Sequence, residues 1–72
     1  MDTITEVVNI GNSYLVRTEG GSVLTFQRDT FSSYLRKGRF LKITPQDGQT
    51  TYTIYDRDGN SELARVSIQN KN

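Results

Sequence analysis

Seventy-two residues with no cysteine, no histidine and a formal charge of +1 limit this chain before any pattern is read. The length allows one domain, residues 1–72, with a modest core. Without cysteine there is no disulfide framework and no thiolate metal site, and without histidine the commonest general base and most transition-metal ligands are gone. Non-catalytic work, with no cofactor and no metal, is therefore the expectation. No apolar run approaches the roughly 20 residues that cross a bilayer. The start, MDTITEVV, is acidic and β-like, unlike a secretory signal. These features predict a soluble cytoplasmic protein with no membrane partner.

In chain order, Ile4–Ile10 reads as a first strand, with Glu6 a polar intrusion that marks either a sheet edge or a bulge near Val7–Val8. Gly11-Asn12 signals a turn, and Tyr14–Thr18 a second strand. Two glycines, Gly20-Gly21, make a tight connection to a third strand, Ser22–Gln27. No phosphate-cradling motif follows those glycines. A short helix is then predicted over Thr30–Lys37. Asp29 and Thr30 are good caps, Phe31, Tyr34 and Leu35 share one side, and Gly38 can close the last turn. A helix of about two turns is marginal alone and must be held by packing.

Alternation resumes in Arg39–Thr44, with Leu41 and Ile43 on one face and Phe40 and Lys42 on the other. Pro45 is expected to end that strand, and Asp47-Gly48 to turn the chain. Thr50–Tyr55 is the clearest strand, rich in β-branched and aromatic residues, and Leu63–Ile68 is the last. Between them, Asp56-Arg57-Asp58-Gly59-Asn60 faintly suggests a calcium loop. The glycine comes fourth instead of sixth and no glutamate closes the loop, so a hairpin turn explains it.

Five or six short strands, tight turns and one short helix near residues 30–37 predict an all-β fold. The expected form is a small antiparallel β-barrel, since closure removes exposed edges. SH3-like and OB-like barrels both accommodate a short helical turn before a late strand; the likeness is architectural. The expected core is Ile4, Val8, Ile10, Tyr14, Val16, Leu24, Phe26, Leu35, Leu41, Ile43, Tyr52, Ile54, Ala64, Val66 and Ile68.

Charge is segregated along the chain. Arg28–Lys42 carries five cations and one acid, whereas residues 1–27 sum to −2 and residues 43–62 to −3. Aromatics interleave with the cations, so Arg28, Arg36, Lys37, Arg39, Phe40 and Lys42 form the candidate binding strip. Arginine and aromatic anchors are enriched at binding hot spots. The expected function is a binding module acting through contact with a protein partner, with self-association as a further outcome of opposite charges on one small body. A chain of this size also fits a small inhibitor or accessory protein of a mobile element or phage, by association alone. The alternative is a barrel that binds single-stranded nucleic acid along the same strip, stacking bases on aromatics beside a basic groove.

Overall fold

The computed structural model describes residues 1–70 and is all-β, with six antiparallel strands. The strands are β1 (Asp2–Ile10), β2 (Ser13–Thr18), β3 (Val23–Gln27), β4 (Phe40–Gln46), β5 (Gln49–Tyr55) and β6 (Glu62–Gln69). They lie in the order β3-β2-β1-β4-β5-β6. No helix in the described residues is long and apolar enough to cross a membrane.

The expected closure does not occur. β3 and β6 remain at opposite edges of the sheet, so the barrel is open. The reason lies in β1, the strand shared by two three-stranded meanders. Its first residues pair with β4 only at Asp2–Leu41 and Thr3–Phe40, and Ile4 bonds to the backbone of Gly38 and Arg39. The register with β2 shifts between Ile4 and Glu6, which places the bulge at Thr5, slightly earlier than the Glu6 anomaly suggested. A bulge bends its strand and raises the local twist. β1 therefore turns away from β4, and the two meanders face each other across a core instead of continuing into a ring.

That core consists of Ile4, Val16, Phe26, Phe31, Leu35, Leu41 and Ile54. Phe26 of β3 meets Tyr52 of β5 edge-on at 5.2 Å and Phe31 at 5.5 Å, so its ring bridges the meanders. Burying each aliphatic member contributes about 1.5–3 kcal/mol relative to exposure. The expected core is too large. Ile10, Ile43 and Ile68 are 56%, 39% and 46% exposed, because their strands run past the end of the packed zone. Val8 is half-buried on the far side of β1, since Val7 is the residue that packs with the core. Leu63 reaches the core margin because the β5–β6 register shifts between Ile54 and Tyr55.

The predicted helix over Thr30–Lys37 is reduced to a single 3-10 turn, Ser32–Tyr34. Its N-cap is Phe31, not Asp29 or Thr30, but Asp29 braces the turn from outside: its carboxylate accepts the Ser32 N–H at 3.0 Å, and the Ser32 hydroxyl oxygen accepts the Asp29 N–H at 2.9 Å. The turn stops at Leu35, which is extended (φ −68°, ψ 121°). Phe31 and Leu35 both enter the core, and Gly38 donates its N–H to Ile4 instead of closing a helix. Two apolar anchors and one strand bond outweigh a helix too short to hold itself.

Pro45 does not end β4, which runs on to Gln46, with Pro45 opposite Thr50. Beyond Leu41 the side of β4 away from β5 has no strand beside it, so the missing N–H breaks no ladder.

Candidate basic groove

The elements around β1 leave an open groove of about 720 Å³. It lies between β1 after its bulge, the start of β2 and the segment Leu35–Lys37, and Thr5, Glu6, Val7, Tyr14 and Arg17 complete its lining. Leu35 and Val7, both packed with the core, give it an apolar base. Two cations on its rim, Arg36 and Lys37, lie within 4.0 Å of no acidic group among the described residues. Arg17 is compensated by Glu6 at 3.0 Å, an exposed pair worth little to stability.

Arg36 is held in place by its own backbone. One guanidinium nitrogen donates to the carbonyls of Ser33 (3.0 Å) and Leu35 (2.9 Å). The rest of the planar fork remains for a ligand, and a cation fixed this way loses less freedom on binding. Arg28 stacks over the Tyr14 ring at 5.7 Å, which extends the basic surface past the groove's aromatic wall.

The six residues of the candidate strip do not share one surface. Arg36 and Lys37 stand at the groove, and Arg28 reaches it through Tyr14. Arg39 is engaged within the molecule: its guanidinium donates to the Tyr34 carbonyl at 2.7 Å and lies 3.5 Å from the Asp56 carboxylate. Phe40 and Lys42 lie on the outer face of β4, opposite the buried Leu41. Phe40 is half-buried and paired with Tyr55, and Lys42 is exposed and paired with Thr53.

This outer face forms a second, smaller depression of about 320 Å³, lined by Lys42, Thr44, Gln46, Thr51, Thr53, Tyr55, Arg65 and Ser67. It is polar, and its other cation, Arg65, is tied to Glu62 at 2.7 Å. That partner raises the guanidinium pKa further above its ordinary value.

Sequence reading missed Thr5, Glu6, Val7, Tyr14 and Arg17 as groove residues. They lie between 20 and 32 positions before Lys37 and meet it because β1 bends at Thr5. The available signal was Glu6, the charged residue that interrupts the first strand's pattern. Among the described residues, no three acids come together as a metal site. In the turn before β6, the Asp58 carboxylate accepts the N–H groups of Asn60 (2.9 Å) and Ser61 (3.0 Å) and the Ser61 hydroxyl (2.7 Å). These bonds, that from Asn60 first, hold the carboxyl below its ordinary pKa. Compared with known protein families, curated proteins and solved structures, the chain matches none.

Proposed function

We propose that this chain is a non-catalytic binding module that engages a protein partner through the basic groove beside β1. The observation that carries the reading is the pair Arg36 and Lys37, uncompensated on the rim of an open groove with an apolar base. Elsewhere Arg17 pairs with Glu6, Arg39 with Asp56 and Arg65 with Glu62, and the cations Lys42 and Arg57, outside these pairs, do not line the groove. Cations left unmatched beside matched ones favour an anionic partner, which they steer and orient. The chain's lack of histidine and cysteine supports a non-catalytic role.

The test is retention of one protein, in stoichiometric amount, by the immobilised chain after nuclease treatment. The R36S/K37S variant is expected to lose it with an unchanged melting curve, whereas K42S on the outer face keeps it. Retention by R36S/K37S refutes the groove reading.

A second reading, binding of single-stranded nucleic acid, is favoured by Phe40 and Lys42 lying with Tyr55 on one face of the sheet. It predicts binding that weakens steeply with salt and is lost in K42S.

A further inference from the structure

We propose that the open edge of β1 accepts an acidic peptide in extended conformation as an added strand, its carboxylates held by Arg36 and Lys37. This rests on the protein-binding reading and names the partner's chemistry. The argument begins with an unfilled backbone. From Thr5 to Ile10, β1 is paired on its β2 side only, and no other described segment bonds to its second side.

The geometry of the β1–β2 hairpin says which groups face outward. Gly11 has φ +59° and Asn12 has negative φ, so the two-residue turn is of the type with glycine first. Ile10 and Ser13 flank that turn and exchange their backbone bonds. Bonded and non-bonded pairs alternate along an antiparallel ladder. Asn9 and Val7, opposite Tyr14 and Val16, therefore direct their N–H and C=O groups to the open side. They are two residues apart, the repeat at which an incoming strand offers its own groups.

The groove supplies the remaining chemistry. Val7, half-buried over the buried Leu35, offers an apolar surface to one face of an added strand. Arg36 and Lys37 favour carboxylates on that strand, and Glu6, already bound to Arg17, does not cancel them. The other unpaired edges lack this combination, and the far edge of β4 beyond Leu41, with Lys42 as its one cation, has no N–H to offer at Pro45. β6 carries Glu62 and an Arg65 already bound to it, and β3 carries no charged residue. Main-chain bonds would hold the peptide, and the two cations would select its sequence.

The test uses the full chain, isotopically labelled, titrated with a synthetic peptide of about ten residues alternating glutamate with valine, long enough for one strand. The expected result is slowed hydrogen exchange at the Val7 and Asn9 amides, with affinity falling about tenfold or more in R36S/K37S as two charge pairs are lost. N9P removes one outward N–H and should abolish binding. Should N9P fail to fold, the same peptide N-methylated at alternate residues must fail to bind the unmodified chain. Binding without protection at Val7 and Asn9, or undiminished binding of the N-methylated peptide, overturns strand addition. A peptide in which lysine replaces glutamate must not bind. If no peptide binds yet the stoichiometric protein is still retained through Arg36 and Lys37, strand addition is wrong and the protein-binding reading stands. If an oligothymidylate binds the groove instead, both fall.

Discussion

The two meanders use the same antiparallel hairpins and differ in what they do with charge. In β4–β5–β6 two arginines are matched, Arg65 with Glu62 and Arg39 with Asp56, while Arg57 in the β5–β6 turn donates to the Lys37 carbonyl instead. The first meander matches Arg17 to Glu6, but the segment packed beside it leaves Arg36 and Lys37 unmatched. The meanders also differ in depth. Ile4, Val16 and Phe26 are buried in β1–β3, with Phe31 and Leu35 packed against them, whereas the second contributes Leu41 and Ile54 and lets Ile43 and Ile68 run out into solvent. The difference teaches that one half is anchored at a single end and ties Arg39 and Arg65 into internal ion pairs. The other buries more apolar side chains, although Ile10 and Val23 run out at its ends, and the segment beside it keeps charge in reserve.

The largest effect that would break this comparison is loss of the second meander's anchor. Leu41→Ala and Ile54→Ala, each 1% exposed or less, should each cost about 2–5 kcal/mol in denaturant unfolding. Ile43→Ala and Ile68→Ala, on the same face of the same meander, should cost under about 1 kcal/mol, since surface changes are small. Equal costs for the inner and outer pairs would mean that the core reaches further than described. Next is the junction between the halves. Gly38 has φ +95°, and a Cβ there would meet Arg57 Nε at 3.1 Å. Gly38→Ala should cost about 1–2 kcal/mol, read from the shift in denaturation midpoint.

The smallest effect concerns acid. Because the Asp58 carboxyl is held below its ordinary pKa, its contribution is fully present above the unfolded-state value of about 3.9. It is lost as pH falls through the lowered folded-state value. Asp58→Asn should therefore lower the neutral plateau slightly and converge with the parent in acid, so that its melting temperature falls less steeply as pH drops. An unchanged acid limb would show that the turn's bonds do not persist in solution.

Much of the fold was legible because strand parity was legible. Leu41, Ile54, Val16 and Phe26 were placed inward by alternation alone, and all are buried. Parity tells which face a residue takes but not how far the opposing layer extends, so Ile10, Ile43 and Ile68 were placed in a core that stops short of them. The helix misled for a related reason. Caps and an apolar stripe describe what Thr30–Lys37 could do in isolation, and the better burial of Phe31 and Leu35 drew the segment out after one turn. Of the candidate site, Arg36 and Lys37 were legible as charge, whereas the groove itself arises from a bulge that joins Thr5–Val7 to residues thirty positions away.

Pro45 bears on a hazard that the native fold conceals. The neighbouring segment Thr50–Tyr55, TTYTIY, has no charge, glycine or proline and is rich in β-formers, the composition that seeds fibrils. In the native sheet it is sealed between β4 and β6. β4 is the outer guard on one side, and beyond Leu41 its far edge is unpaired. A proline in that edge gives a docking chain no N–H at Pro45, so intermolecular stacking is interrupted beside the most fibril-prone strand. One imino acid, which breaks no ladder bond in the folded sheet, thus serves as insurance against self-templated precipitation.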